Sequence, residues 1–167
     1  MTNNIHFNKD RYIQLFNKEE TLKNQGRFLS NENPKEYDEL LSYEIIIESQ
    51  IYYNHRSKYV FLIEKYLKGN IDEYEVQLFL WEFFNIFRAA NKALEIFQKE
   101  IREQGIQKLA TFLIDPKSIE FATLINQIVG LCEFLTFDPE GIDGITLDQF
   151  RDSIEKIFFK IQKCLDE

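Results

Sequence analysis

The feature that most constrains the fold of this 167-residue chain is one long apolar stripe after Asp72. Its members are separated by alternating steps of four and three residues: Val76, Leu80, Phe83, Phe87, Ala90, Leu94, Phe97 and Ile101. These steps return to the same side of an α-helix at every turn, so they predict one helix with a buried face. Gly105 follows the stripe and is typical of the residue that ends a helix. A helix of about 30 residues is about 45 Å long. A chain of this size that contains such a helix folds most simply as a set of helices packed along it.

The first half of this helix is apolar on more than one side. Phe79, Trp81, Phe84 and Ile86 all lie off the stripe. A helix that is apolar around much of its circumference is typical of a central, buried position. We therefore expect this half to be buried on more than one face.

Two shorter stripes with the same spacing follow in the last third of the chain. The first comprises Phe121, Ile125, Ile128, Cys132 and Leu135, and the second comprises Phe150, Ile154, Ile157, Ile161 and Cys164. Both cysteines fall on these stripes, so we predict two small buried thiols in a reducing compartment and no disulfide. Each stripe predicts a further amphipathic helix.

Helix starts are marked clearly at two places. Asp72 can accept the backbone N–H of Glu75 while the Glu75 side chain reaches back, and Thr146 with Gln149 repeats this reciprocal cap. Two further starts pair a capping residue with proline, namely Asp115-Pro116 and Asn33-Pro34.

Upstream of Asp72 the pattern predicts one long or two broken helices over residues 35–68, a short helix over 8–23 and a polar loop over 24–33. The run Ile45-Ile46-Ile47 could form a strand, but a lone strand would have no partner, so we favour helix. The predicted fold is all-α: an up-and-down antiparallel bundle of four main helices with an N-terminal helical extension. We assign residues 1–55 to the extension, packed on the bundle, and 56–167 to the bundle.

The chain offers little for catalysis. Of its two histidines, His6 lies near the terminus, and His55 has no Cys, Asp or second His at metal-ligand spacing. We interpret both as solvated surface residues. Glycine-rich phosphate loops and nucleophile motifs are missing from the sequence. We therefore predict a protein that is not an enzyme and that needs no cofactor and no metal.

One segment resembles a calcium-binding loop without meeting its requirements. Read from Asp138, the sixth position is Asp143 where glycine is needed, and the twelfth is Gln149. Read from Pro139, Gly144 takes the sixth position, but the first ligand is missing and the twelfth residue is Phe150. Neither register supplies a complete oxygen shell.

Negative charge is concentrated in one part of the chain. The net charge is −8, and the 33 residues from Ser118 to Phe150 contain six acids and neither Lys, Arg nor His. Five of these acids, Glu133, Asp138, Glu140, Asp143 and Asp148, surround a predicted helix–loop–helix connection, with Phe137 among them. Acids also occur in loops for solubility and at helix starts for the dipole. The functional interpretation is an acidic patch that docks a basic protein, with Phe137 as an apolar anchor.

Composition also bears on location and partners. We find no signal peptide in residues 1–10 and no run of about 18 apolar residues, so we expect a soluble protein with no membrane contact. An acidic chain disfavours direct binding of nucleic acid. The richness in Asn, Lys, Ile and Phe suits an AT-rich genome, so we predict a cytoplasmic protein, or one of the plastid stroma if organelle-encoded.

Residues 58–165 resemble the bacterial self-protective colicin-like immunity family (colicin D immunity protein-like). The resemblance rests on the aromatic helix and acid-capped start in residues 59–75, on Phe137-Asp-Pro-Glu, and on residues 145–151 before an amphipathic last helix. It implies a small acidic antiparallel helical bundle. It also implies that the protein neutralises a cognate nuclease toxin by covering the basic, RNA-binding active site of that toxin.

The resulting hypothesis is an immunity-type inhibitor, monomeric or weakly dimeric, that neutralises a basic nuclease-like toxin through its acidic patch. The alternative is an all-α structural or regulatory adaptor that binds a protein partner, or a second copy of itself, through an apolar helix face. Salt separates the two hypotheses, because screening weakens a charge-driven complex more than an apolar one.

Overall fold

The computed structural model describes residues 6–137 and 144–166, except for the side chains of residues 136 and 137. The described residues form helices and no strand, which confirms the all-α prediction and the helical choice for residues 45–47. The helices are α1 (Lys9–Asn24), α2 (Leu29–Glu32), α3 (Pro34–Asn54), α4 (Arg56–Lys68), α5 (Glu73–Gln104), α6 (Ile106–Ala110), α7 (Ser118–Phe137) and α8 (Leu147–Asp166).

Local signals set most of the helix ends. Asp72 Oδ1 accepts the backbone N–H of Glu75 at 2.8 Å at the start of α5. At the start of α8, Thr146 Oγ1 accepts the N–H of Gln149 at 3.2 Å, and Gln149 Oε1 accepts the N–H of Thr146 at 2.8 Å. Gly105 follows α5 with a φ of 58°, a left-handed conformation that favours glycine. The caps and the glycine stop were thus predictable from neighbouring residues.

Two boundaries differ from the prediction. Helix α7 begins at Ser118, two residues after Pro116, and Lys117 in the preceding turn donates through its Nζ to the Leu165 carbonyl at 3.1 Å. The predicted polar loop at 24–33 contains the short α2. The buried Glu19 carboxylate accepts the Leu29 N–H at 2.9 Å and so caps that helix from α1.

The chain divides into two compact units, which are described separately. Unit 1 comprises Met1–Glu48 and Ala93–Asp115, and unit 2 comprises Ser49–Lys92 and Pro116–Glu167. Helices α3 and α5 contribute residues to both units. The division at residue 55 is a different partition of the chain and stays a prediction.

Unit 1 is organised around an aromatic contact between α1 and α3. The ring of Tyr12 lies 5.8 Å from Phe16 and 6.3 Å from Tyr43, measured between ring centroids. Helix α1 also packs against α2 and α6. The largest fully buried side chains of the unit are Tyr12, Leu15, Leu29, Ile47, Ile101 and Leu109.

Unit 2 has a core of large rings from four helices. Tyr66 of α4 and Phe79 of α5 are 4.5 Å apart, and Phe79 is 6.1 Å from Phe150 of α8. The predicted stripes of α7 and α8 enter this core: Phe121, Ile125, Ile128, Cys132, Phe150, Ile154, Ile157, Ile161 and Cys164 are buried. Val76 and Phe83 of the long stripe are also buried, with Leu80 and Phe87 half-buried against them.

One residue of α5 departs from the expected burial. Phe79 is buried and Phe84 and Ile86 are half-buried, as expected for a helix with more than one apolar face. Trp81, however, is 63% exposed. The prediction for this residue was wrong because it lies on the side of α5 that faces away from the ring core.

Candidate functional site

The end of unit 2 at which α4 stops and α8 starts is fixed by Arg151. Its guanidinium donates to the carbonyl oxygens of Gly69 at 3.2 Å and Tyr66 at 3.4 Å, and also to that of Leu67. The orphan carbonyls at the end of α4 are thereby satisfied. Because α5 follows directly, the start of α5 lies at this same end.

The C-terminus of α7 lies at this same end of unit 2. Lys117, just before α7, bonds the Leu165 carbonyl near the end of α8, and the Cys164 thiol lies 3.8 Å from the Lys117 carbonyl oxygen. The two helices pack against each other and are therefore antiparallel. The end of α7 accordingly lies beside the start of α8.

Two of the predicted patch residues fall at this end and are exposed. Glu133 lies in the last turns of α7, and Asp148 lies in the first turn of α8. Asp138, Glu140 and Asp143 lie outside the described residues. Phe137 is the last residue of α7, but its side chain is also outside the described part.

The structure adds three carboxylates that sequence reasoning missed. Asp72 and Glu73 are exposed and Glu75 is half-exposed at the start of α5. They lie about 60 residues before Glu133 in the chain, so a search for contiguous charge did not join them. The sequence signal that could have indicated them is Gly69, which ends α4 and lets the chain turn into α5 beside the start of α8. We call Asp72, Glu73, Glu75, Glu133 and Asp148 the acidic end.

The bases beside the acidic end offset it only partly. The Arg151 guanidinium is engaged by three carbonyl oxygens and lies 5.9 Å from the centre of the Tyr66 ring. Lys68 is exposed at the end of α4. The arrangement is therefore an electronegative surface, and surfaces of this kind favour the approach of positively charged molecules.

Exposed apolar side chains accompany these carboxylates. Tyr74 is 71% exposed, Ile71 is 48% exposed and Phe134 is 38% exposed. Apolar anchors among charged neighbours are typical of protein-binding surfaces. Phe134 lies next to Glu133 on α7, whereas Ile71 and Tyr74 come to this end with the start of α5.

The helix starts explain part of the charge without any partner. Asp72 caps α5, and Asp148 lies where the dipole of α8 favours a negative charge. Glu133 lies near the C-terminus of α7, where that dipole disfavours a negative charge. Helix stability therefore does not account for Glu133.

The described residues contain no group of three His, Cys, Asp or Glu side chains placed to hold a metal ion. His55 is half-exposed between α3 and α4, and its Nδ1 lies 2.9 Å from the Ile51 carbonyl oxygen. Cys132 and Cys164 are buried thiols, as predicted, and burial raises the pKa of Cys132 to about 12.

One stretch of the described residues, Ser118–Leu135 in α7, is long and apolar enough to cross a membrane by length and composition alone. Its mean hydropathy is 1.3, and 44% of it is buried within the protein. Phe121, Ile125 and Ile128 on its inner side belong to the core of unit 2, while Asn126 and Gln127 are exposed. This two-sided pattern is that of a helix packed in a protein core.

Comparison with known proteins adds no relative. No family model, no curated protein and no solved structure matches the chain.

Proposed function

We propose that this is a non-catalytic binding protein whose acidic end docks a basic protein. The observation that carries the proposal is the convergence of carboxylates from three helices, α5, α7 and α8, at one end of unit 2. Charge of one sign, with Ile71, Tyr74 and Phe134 exposed beside it, suits a surface that steers a partner electrostatically and holds it through apolar contacts.

The specific form that we propose is an immunity-type inhibitor of a nuclease-like toxin. The acidic end, with Asp138, Glu140, Asp143 and Phe137 in the adjoining connection, would imitate the phosphates that such a toxin binds. The resemblance to the colicin-like immunity family supports this form. So does an up-and-down bundle of α4, α5, α7 and α8 with an N-terminal extension, which we propose as the finer description of the fold.

The test uses the product of the neighbouring reading frame, produced with and without this protein. If that product is a basic toxin, we expect a tight complex whose association slows as salt rises. Neutralising Glu133, Asp138, Glu140, Asp143 and Asp148 together should abolish the complex. A second variant, Asp72→Asn with Glu73→Gln, should weaken it on its own if the start of α5 belongs to the docking surface.

A matched control separates the position of the charges from their number. Asp38, Glu95, Glu103, Glu120 and Asp166 are exposed and do not belong to the acidic end. Neutralising these five should leave binding nearly unchanged. Equal losses in the control and in the first five-residue variant would reject a localised docking surface and leave only the effect of net charge.

The second candidate function is an adaptor that binds a protein partner, or another copy of itself, through an apolar helix face. It is favoured by the large apolar side chains that unit 2 leaves exposed on helix surfaces, such as Phe61 of α4, Trp81 of α5 and Phe159 of α8. Binding of this kind should persist at high salt and be lost on changing these residues. A neighbouring reading frame that encodes no toxin would favour this candidate.

A further inference from the structure

We propose that the outward side of the α4–α5 pair is a second docking surface, which binds an acidic segment of a partner protein. The surface consists of Lys58, Phe61 and Lys65 of α4 with Trp81, Arg88 and Lys92 of α5, and we call it the basic aromatic face. It does not include the acidic end, so it is independent of docking there. It shares Phe61 and Trp81 with the apolar adaptor surface, and the dependence of its binding on salt distinguishes the two.

An ion pair between α4 and α5 shows which faces of these two helices are exposed to solvent on the same side. Lys65 Nζ lies 3.2 Å from Glu82 Oε1 across the pair. Beneath this ion pair the groove between the helices is lined by apolar side chains, namely Leu62, Tyr66, Leu78 and Phe79. Lys65 and Glu82 thus mark the rim of the groove. The residues that flank them, on the faces turned away from the groove, therefore face solvent on one common side of the helix pair.

The spacing of the residues puts the aromatic and basic groups on that outward side. On α4, Lys58, Phe61 and Lys65 are three and four residues apart, which places them on one face. On α5, Trp81 precedes Arg88 by seven residues, or about two turns. Phe61 is 69% exposed and Trp81 is 63% exposed, although both are large apolar side chains.

The charge of this face specifies the chemistry of its partner. Lys58, Arg88 and Lys92 are exposed and have no ion-pair partner among the described residues, while Lys65 is paired with Glu82. The face is thus locally positive on a chain whose net charge is −8. Complementary charge selects an acidic partner, and Trp and Arg are the side chains most enriched in protein-binding hot spots.

An acidic protein segment fits this face better than a nucleic acid does. A segment of one or two helical turns places a few carboxylates on the bases and an apolar side chain against Phe61 and Trp81. A nucleic acid carries phosphates along its whole length and needs a continuous basic track. On this unit such a strand would extend toward the carboxylates at the start of α5, which repel it.

Trp81 makes the proposal directly measurable, since it is the single tryptophan of the chain. The probe is a synthetic helical peptide of about four turns with Glu on one side and Leu on the other. Titrating it into the full-length protein should give a saturable blue shift of the Trp81 emission that weakens as salt rises. The same peptide with Gln in place of Glu should bind at least about tenfold more weakly.

Variants test whether the shift comes from this face. Lys58→Gln, Arg88→Gln and Lys92→Gln together should lower the affinity for the Glu peptide at least about tenfold. The matched control, Lys35→Gln, Lys99→Gln and Lys160→Gln, changes the net charge equally at exposed sites elsewhere and should change the affinity less than about twofold. Phe61→Ser should weaken binding and make the remaining binding more sensitive to salt.

Three outcomes would overturn the proposal. The first is the absence of a saturable shift with the Glu peptide. The second is tighter binding of an oligothymidylate strand of the same charge, which would identify a nucleic-acid surface. The third is a blue shift that develops with protein concentration alone and tracks dimer formation in sedimentation, which would mean that a second copy covers Trp81.

Discussion

The two units of the protein are stabilised by different interactions. Ion pairs between the described residues are concentrated in unit 1, as in Arg11–Glu39 at 2.8 Å, Arg102–Glu20 at 3.0 Å and Lys18–Glu36. Unit 2 is packed around rings, among them Tyr59, Tyr66, Phe79, Phe83, Phe121 and Phe150. The one ion pair of unit 2 described above, Lys65–Glu82, lies at the surface of its ring core.

This difference bears on where the protein can bind a partner. Most of the bases of unit 1 are engaged in ion pairs with its carboxylates, so few of them are left for a partner, although the two units have the same net charge of −4. Unit 2 obtains its stability from apolar burial and leaves carboxylates at the acidic end and bases on the basic aromatic face. Its surface charges are therefore available for binding, and both proposed docking surfaces lie on this unit.

The largest expected effect comes from removing a ring from the core of unit 2. Phe83 is 0% exposed and lies 5.4 Å from Tyr59 and 5.7 Å from Phe79. Phe83→Ala should lower the free energy of unfolding by about 3–5 kcal/mol, as measured by urea denaturation followed by circular dichroism. Trp81→Ala, on the same helix but exposed, should change it by about 0.5 kcal/mol or less. Similar losses in the two variants would mean that unit 2 does not depend on its ring core.

The next effect concerns Arg151, whose hydrogen bonds join the end of α4 to α8. Arg151→Ala leaves the carbonyls of Tyr66, Leu67 and Gly69 without their donor, and should cost about 1–3 kcal/mol. Lys160→Ala, at an exposed site of the same helix, is the control and should be nearly neutral. Equal stability of the Arg151 and Lys160 variants in urea denaturation would contradict the anchoring role of Arg151.

A smaller effect separates capping from binding at Asp72. Asp72→Ala should cost about 1 kcal/mol, because the Glu75 N–H loses its acceptor. Asp72→Asn keeps an acceptor and should retain stability while removing one charge from the acidic end. We therefore expect the Ala variant to lose both stability and partner affinity, and the Asn variant to lose affinity only. An Asn variant with full affinity would remove Asp72 from the docking surface.

The smallest effects are the pH responses of two glutamates in unit 1. The hydrogen bond from Arg11 lowers the pKa of Glu39, so its stabilising contribution is present above the ordinary pKa of 4.5 and is lost as pH falls through the lowered value. Burial raises the pKa of Glu44, so its contribution is present at low pH and is lost as pH rises through the raised value.

At neutral pH these shifts have opposite consequences for substitution by glutamine. Glu39→Gln should destabilise the protein slightly, and Glu44→Gln should stabilise it slightly by removing a buried charge. Denaturation curves collected from about pH 3 to about pH 8 should show the two differences fading in acid. Two shifts of the same sign at neutral pH would contradict the assignment.

Local patterns were sufficient to predict most of the fold. The stripes of α5, α7 and α8, the reciprocal cap at Thr146 and the stop at Gly105 each depend on residues within a few turns of one another. The features that were missed depend on residues far apart in the chain. The Glu19 carboxylate caps α2, Lys117 Nζ bonds the Leu165 carbonyl, and neither contact can be found by scanning a short window.

The candidate site shows the same limit. Glu133 and Asp148 were predictable because they lie in one base-free stretch. Asp72 and Glu73 join them because the end of α4 and the start of α5 pack against the start of α8, through Arg151 and through the contact of Phe79 with Phe150. A sequence pattern shows how charges follow one another along the chain, whereas a binding surface depends on which charges are close in three dimensions. The carboxylates at the start of α5 could therefore be assigned to the acidic end only from the structure.

The most direct test of the central claim is amide hydrogen exchange on the complex with a basic protein partner. The acidic end predicts increased protection at the start of α5, in the last turns of α7 and in the first turn of α8, with unit 1 unchanged. Protection confined to unit 1, or found in unit 2 only along the basic aromatic face, would contradict docking at the acidic end.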